Sequence, residues 1–203
     1  MTDEQALNAS RATAAVDGRR TDTRDRIQKA ALELFVERGY TETTLREIAE
    51  RVGVTRPALY YHFRTKEEIL TSIVGDLVVS LDELLAWGQG QPRTPRTKRE
   101  LIRRLAAFAG DRWTPFMRLS QQNQSALQRV GVGMQFAERV QSLLGLVSDP
   151  QASLVQELRA RLAVVALFLA HTPMAEAGLE ASDDERAKAA LQIALELVSG
   201  RRG

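Results

Sequence analysis

A chain of 203 residues is long enough to bury a hydrophobic core in one or two domains. It contains no cysteine, which excludes a disulfide framework, a thiolate metal site and a thiol redox switch. Its N-terminus lacks the apolar segment of a secretory signal, and its longest apolar run, from Leu162 to Ala170, is too short to span a bilayer. These features predict a soluble, cytoplasmic protein with no membrane partner. The formal net charge of +2 is too small to indicate nucleic-acid binding by itself.

Residues 1–20 are polar, small and aperiodic, which predicts a disordered arm. Arg11, Arg19, Arg20 and Arg24 make this region locally basic. Two interpretations stay open: a solvated tail, or an arm that reaches phosphates or a minor groove.

The next segment predicts a first helix from Asp22 to Arg38, with Gly39 at its C-terminal cap. Apolar residues recur on one face of this helix, as expected of a stripe that faces the core. They are Ile27, Ala30, Ala31, Leu34 and Phe35.

A helix-turn-helix pattern follows the first helix. The segment Leu45–Val52 has the apolar spacing of a short amphipathic helix, and Thr44 with Glu47 forms a capping box at its start. Gly53 suits the left-handed residue that ends this helix, and Thr55 is a good N-cap for the next one. The second helix of such a motif enters the major groove of DNA.

The third helix is predicted to be short, because Thr65 with Glu68 repeats the capping box at the start of a fourth helix. Leu59 and Phe63 give the third helix one buried face. Pro57 falls in its first turn, where the missing N–H has no structural cost. Three helices of these lengths predict one compact DNA-binding domain.

The charge pattern of this segment indicates DNA contact. From Arg51 to Lys66 there are basic residues and no acid. Arg56, at the start of the third helix, has the geometry to fork onto guanine O6 and N7, and Ala58 to touch a thymine methyl. Tyr60 stays open between packing beneath the domain and reaching phosphate. The residues expected to contact phosphates are Thr44, Tyr61, His62 and Lys66.

Three segments carry a resemblance to a known family: RIQKAALELFVERGY (Arg26 to Tyr40), TTLREIAERVGVT (Thr43 to Thr55) and ALYYHFRTKEEIL (Ala58 to Leu70). The matching features are the Gly–Tyr pair after the first helix, the turn glycine, the aromatic–aromatic–His–Phe run and the lysine that follows it. With these features the chain resembles the tetracycline-repressor (TetR) family of bacterial transcriptional regulators. The resemblance covers residues 20–70, and the rest of the chain carries no matching motif.

The resemblance implies a repressor that an unknown small-molecule effector releases from a palindromic, double-stranded operator. It also adds Arg46 and Thr55 to the DNA contacts. The alternative is a DNA-binding or architectural protein of this fold without an effector, which a ligand-dependent loss of operator binding would distinguish. The full set of predicted DNA-binding residues is Thr44, Arg46, Thr55, Arg56, Pro57, Ala58, Tyr60, Tyr61, His62 and Lys66.

Beyond the third helix the sequence predicts further helices and no strand. A fourth helix from Lys66 to Trp87 has a broad apolar stripe that needs cover on more than one side, and Gly88–Thr97 reads as a loop. Helix breaks are expected at Gly110, Gly131, Gly133, Asp149–Pro150 and Thr172–Pro173. The later helices are predicted at Lys98–Ala109, Pro115–Arg129, Met134–Ser148, Ala152–His171 and Asp183–Ser199.

The last two helices carry apolar residues three and four apart, the seam pattern of packed helices. An intramolecular bundle and a dimer interface both fit this pattern, and the family resemblance favours a homodimer, whose twofold symmetry matches a palindromic operator. The predicted interface residues are Val155, Leu158, Leu162, Val165, Leu169, Leu191, Ala194 and Val198.

The middle of the chain concentrates aromatic and thioether side chains, with glutamines and an asparagine among them. Such residues are more often core than pocket, but a largely apolar cavity with a few polar groups is also what a ligand site needs. The candidate ligand-binding residues are Trp87, Trp113, Phe116, Met117, Met134, Phe136 and Phe168.

An enzyme is the third function class, and the sequence argues against it. There are only two histidines, no Gly-rich phosphate loop, no cluster of metal ligands and no isolated carboxylate pair, so no catalytic residue, metal or cofactor is expected. The prediction is an all-α chain in three parts: a disordered basic arm (1–20), an N-terminal three-helix helix-turn-helix DNA-binding domain (21–66) and a helical ligand-binding and dimerisation domain (67–203).

Overall fold

The computed structural model describes residues 22–122, 132–148, 151–172 and 180–199, which are helical with short connections and contain no strand. The predicted arm at residues 1–20 lies outside these ranges. No helix within them is both long and apolar enough to cross a membrane. Two compact units divide between Ile73 and Val74. We call the described residues 22–73 the head and those from 74 to 199 the body.

Local signals define the helices of the head. Gly39 and Gly53 have positive φ angles of 90° and 75°, a region that favours glycine, and end the first two helices. At the start of the second helix the Thr44 hydroxyl accepts from the Glu47 N–H at 3.3 Å, and the Glu47 carboxylate accepts from the Thr44 N–H at 2.8 Å. The predicted capping box is thus confirmed. The helices are α1 (22–38), α2 (Leu45–Val52) and α3 (Arg56–His62).

One small core holds these helices together. The predicted stripe of α1 is buried throughout, and Phe35 at its C-terminal end is fully buried. Ile48 from α2 and Leu59 from α3 are also fully buried, and Phe63 follows directly after α3. Burying a side chain of this size contributes about 1.5–3 kcal/mol to the stability of the fold.

The body is built from longer helices. α4 is continuous across the division between the two units, and α9 packs against α8 and α5. Alanines at this packing surface, such as Ala163 and Ala194, are fully buried and permit close approach. The helices are α4 (Lys66–Gln89), α5 (Pro95–Phe108), α6 (Thr114–Gln122), α7 (Val132–Val147), α8 (Leu154–Leu169) and α9 (Asp183–Ser199).

Three expected irregularities differ in the structure. The loop predicted at Gly88–Thr97 is shorter, because α4 continues to Gln89 and the Thr94 hydroxyl caps α5 by accepting from the Thr97 N–H at 3.1 Å. The predicted break at Gly110 is instead a π-helical turn, Ala109–Trp113, that joins α5 to α6 without interruption. Gly133 lies inside α7. The breaks predicted at Gly131, Asp149–Pro150 and Pro173 fall outside the described residues.

Candidate nucleic-acid interface

Helix α3 has one anchored face and one presented face. Leu59 and Phe63 are buried, whereas Tyr60 and Tyr61 are exposed by 51% and 71%. The Tyr61 and His62 rings meet edge to face with their centroids 5.3 Å apart. Because the buried pair fixes the helix, its outer side chains are held in a defined orientation. Tyr60, left open between packing and presentation, lies on the presented face.

The first turn of α3 is prepared for a charged partner. The Thr55 hydroxyl caps the helix by accepting from the Ala58 N–H at 3.3 Å, and Pro57 lies in the first turn. Arg56 is exposed and has no ion pair among the described residues. A guanidinium without a competing carboxylate is ready to bind phosphate or a guanine edge.

Ion pairs in the head engage three other arginines, Arg38, Arg46 and Arg51. Arg51 contacts Glu37 at 2.9 Å and Glu33 at 3.7 Å. Its hydrogen bond lowers the pKa of the Glu37 carboxyl. The exposed Arg46 lies 2.7 Å from Glu50 on the next turn of α2. These arginines of α1 and α2 are therefore neutralised by neighbouring acids, whereas Arg56 on α3 has no such partner among the described residues.

A groove of about 450 Å³ runs beside the start of α3. It brings together predicted contacts from three places in the sequence, which are Thr44, Arg46, Arg56, Tyr60 and Lys66. Hydroxyl, guanidinium and phenol groups along one groove match the donors that proteins direct at a phosphate backbone.

Lys66 is the member of this set with the most internal contacts. Its Nζ donates to the backbone oxygens of Tyr40 at 2.6 Å and Thr41 at 2.9 Å, and it lies 4.8 Å from the centroid of the Tyr40 ring. These contacts tie the start of α4 to the turn after α1. Lys66 therefore has a structural role in the head.

Arg24, one of the bases assigned to the basic N-terminal region, is held on the head. Its guanidinium lies 4.4 Å above the centroid of the Phe63 ring and donates to the Ser72 hydroxyl at 2.7 Å. Arg24 thus marks where the N-terminal segment enters the head, close to the end of α3.

In the body, four of the predicted ligand-binding residues form one aromatic cluster. Trp113 lies at its centre, with ring centroids 5.9 Å from Phe116, 5.3 Å from Phe136 and 5.3 Å from Phe168. Phe116 and Phe136 stack at 6.2 Å with an interplanar angle of 8°. We call Trp113, Phe116, Phe136 and Phe168 the aromatic cluster.

The remaining three candidates lie apart or outside the described side chains. Trp87 stacks under Arg104, whose guanidinium carbon is 4.2 Å from the centroid of the indole ring. The Met117 sulfur lies 3.8 Å from the Ser120 hydroxyl. The side chain of Met134 is outside the described part of the chain. Phe108, which contacts Phe168 at 6.5 Å, joins the cluster although sequence reasoning did not place it there.

Helix α8 presents an apolar face. Four of the predicted interface residues on it are exposed by half or more: Val155, Leu158, Leu162 and Val165. Leu169, Leu191 and Val198 are half-buried, whereas Ala194 is fully buried within its own chain. Leu154 and Ile193 extend the exposed face and were not predicted, although Leu154 is four residues before Leu158.

Comparison with known proteins identifies the family. Residues 27–73 match the family described as bacterial regulatory proteins, tetR family. The HTH-type transcriptional repressor BepR of Brucella suis biovar 1 (strain 1330) is 31% identical over 188 residues, which is 88% of this chain and 78% of BepR. The chain belongs to the TetR family.

Two further matches show where the similarity is strongest. The HTH-type transcriptional regulator SrpR of Pseudomonas putida is 49% identical over 53 residues, 26% of this chain and only 25% of SrpR. The solved SmeT–triclosan complex is 25% identical with a TM-score of 0.57, covering 86% of this chain and 90% of SmeT. Similarity over most of the chain gives the shared all-helical fold, whereas the higher identity to SrpR is confined to 53 residues.

This TetR-family protein is therefore a DNA-binding regulator of transcription, and its relatives are transcriptional regulators rather than enzymes. The family was recognisable from the sequence because its motifs are local. The pairing of Arg46 with Glu50 is local, four residues apart on α2, but the pairing of Arg51 and the two carbonyl contacts of Lys66 had no local signal. Each of the latter depends on residues that only the fold brings together.

Proposed function

We propose that this protein is a repressor that binds a palindromic operator in the bacterial cytoplasm as a homodimer and leaves it when a small-molecule effector binds the body. The observation that carries the proposal is the presented face of α3, where Arg56, Tyr60 and Tyr61 point away from a buried anchor. Among the relatives, BepR is named a repressor, which supports this direction of control.

On DNA, Arg56 forks onto a guanine edge and Ala58 lies near a thymine methyl. Thr44, Arg46, Thr55, Tyr61 and His62 contact the phosphate backbone, which sets the position of α3 without reading sequence. The groove beside α3 supports this assignment, because it collects Thr44 and Arg46 next to Arg56.

The homodimer forms through the exposed face of α8 together with α9. Leu154, Val155, Leu158, Leu162 and Val165 lie along α8 at helical spacing and are all exposed by half or more. Contiguous apolar surface of this kind marks an interaction site. A second copy has the same row, so a twofold axis lets each row cover the other. Two α3 helices then address two half-sites of one operator.

The effector binds at the aromatic cluster. Stacked and edge-on rings give an apolar surface suited to a flat or branched apolar molecule. The half-buried His171, near the adjoining π-helical turn, provides a polar group. SmeT was solved with triclosan, an apolar aromatic compound, which supports this class of ligand.

The test uses an operator selected from a random DNA library by the wild-type protein. Operator affinity is measured by fluorescence anisotropy with and without a panel of apolar compounds that includes triclosan. Indole fluorescence of Trp113 reports binding to the body, with Trp87→Phe as the background to isolate it. We expect at least one compound that quenches Trp113 and lowers operator affinity. Compounds that saturate the body and leave operator affinity unchanged would favour the alternative, a DNA-binding protein of this fold without an effector.

A further inference from the structure

We propose that a forked ion pair between Asp82 of α4 and Arg139 of α7 positions α4 for DNA binding and couples the aromatic cluster to the head. The inference rests on the proposed function and names the residues through which effector binding is transmitted. The Arg139 Nε lies 2.8 Å from Asp82 Oδ1, and its Nη2 lies 2.8 Å from Oδ2. Two parallel hydrogen bonds fix both the distance and the angle between the two groups.

Two other contacts align the same helices. A Cβ atom added to Gly88 of α4 would lie 2.7 Å from Leu146 Cδ1 of α7, so the helices approach closely there. The Arg93 side chain, just beyond α4, donates to the Gly145 oxygen at 3.4 Å. Contact thus continues along both helices in the same direction from the ion pair toward their C-terminal ends.

Helix α7 also carries a member of the aromatic cluster. Phe136 precedes Arg139 by three residues, which places both side chains on neighbouring positions of one helix face. Phe136 lies against Trp113 and stacks on Phe116. A molecule that separates these rings displaces Phe136, and α7 carries Arg139 with it.

Helix α4 extends from this contact to the head. It begins at Lys66, shortly after α3 ends at His62, and runs without interruption to Gln89. A shift of Asp82 along or around the axis of α4 therefore moves the helix that directly follows α3, the helix proposed to contact DNA bases. The closed fork corresponds to the DNA-binding setting of α4.

Stability alone does not account for the arrangement. The Arg139 side chain is 22% exposed and that of Asp82 is 49% exposed, and ion pairs near the surface contribute little to folding. What distinguishes this ion pair is its location. It joins α7, which carries Phe136 of the aromatic cluster, to α4, which extends into the head. Its loss is therefore expected to change DNA binding more than folding.

The experiment is a double-mutant cycle read without any effector, on the operator selected by the wild type. The variants are Asp82→Ala, Arg139→Met, which keeps the apolar stem, and the two combined. Lys188→Gln is the matched control, because it breaks an exposed ion pair with Asp184 inside α9. We expect each single variant and the double variant to lower operator affinity by the same factor, about five-fold or more, and the control to leave it unchanged. The exchange Asp82→Arg with Arg139→Asp restores part of the loss.

A second arm tests the link to the cluster. Phe136→Leu alters ring packing, and we expect it to change operator affinity in the wild-type background but not in the Arg139→Met background. Equal effects in both backgrounds would show that the cluster reaches α4 by another route and would overturn the coupling.

The outcomes separate the fork from the proposed effector. Additive single effects, or a lower melting temperature with unchanged operator affinity, overturn the positioning role. Because the cycle uses no ligand, a wild type that ignores the whole compound panel contradicts effector release and leaves the fork standing. A wild type that responds to a compound while the cycle shows no coupling contradicts the fork alone.

Discussion

The head and the body use aromatic side chains in opposite ways. In the head, Tyr60 and Tyr61 are presented to the outside on a short anchored helix. In the body, Phe116 and Phe136 are buried and packed on Trp113. The contrast fits the size of the partner proposed for each region. A DNA duplex is recognised by a projecting surface that enters a groove, whereas a small apolar molecule is recognised by an interior that excludes water.

Charged side chains also differ in their use between the head and the body. The ion pairs of α1 and α2 engage Arg38, Arg46 and Arg51 and leave Arg56 on α3 unpaired among the described residues. In the body, Asp82 and Arg139 lie on different helices and join them. Arg56 is thus available to a partner outside the chain, whereas this pair in the body joins two helices of the chain itself.

The largest effect is expected from a substitution on the exposed apolar face of α8. It tests whether DNA binding by the head requires dimerisation through the body. Leu162 is 55% exposed, so Leu162→Glu leaves the folded monomer intact but places a charge in the proposed interface. We expect monomers by light scattering and an operator affinity lower by about a hundredfold or more, because the two half-sites are no longer linked. Arg159→Glu introduces a carboxylate at an exposed polar position of the same helix and should remain dimeric. A Leu162→Glu dimer with full affinity would place the interface elsewhere.

The next largest effect distinguishes, within the head, a residue that contacts a base from a residue that contacts the phosphate backbone. Arg56→Ala should lower specific operator affinity by about 1–3 kcal/mol and relax the preference at one base pair, since a fork onto guanine is lost. Arg46→Ala, from a residue already paired with Glu50, should have a smaller effect that is equal on all sequences. Binding of each variant to a set of single-base operator variants measures both. A uniform loss for Arg56→Ala would assign it to phosphate.

How much of this could be predicted depends on sequence distance. The capping residues Thr44 and Thr55 each act on a residue three positions ahead, so a local reading found them together with α2 and α3. The fork joins residues 57 positions apart, and no local pattern marks it. The π-helical turn was read as a helix break, because Gly110 gives the same signal in both cases and only packing against the rest of the body decides.

Lys66 tests whether a basic residue of the head contacts DNA phosphate or stabilises the fold. The sequence predicts a phosphate contact, but its Nζ is shared by two backbone oxygens. We therefore expect Lys66→Met to lower the free energy of unfolding by about 1.5–3 kcal/mol, the range for hydrogen bonds to a charged group. The dependence of operator affinity on salt should stay the same. If that dependence falls by about one unit while stability is retained, Lys66 contacts phosphate instead.

The smallest effect concerns His171, at the end of the cluster helix α8. Burial lowers its pKa below the ordinary value of 6.5, opposed by Asp183 and reinforced by Arg118 and Arg186. As pH falls below 6.5, the unfolded chain takes up a proton that the folded chain resists, so stability decreases until the lower folded pKa is passed. We expect the melting temperature to fall between pH 7.5 and 5.5 and His171→Asn to reduce that fall. An identical fall in the wild type and in His171→Asn would mean that other groups control the pH dependence of the body.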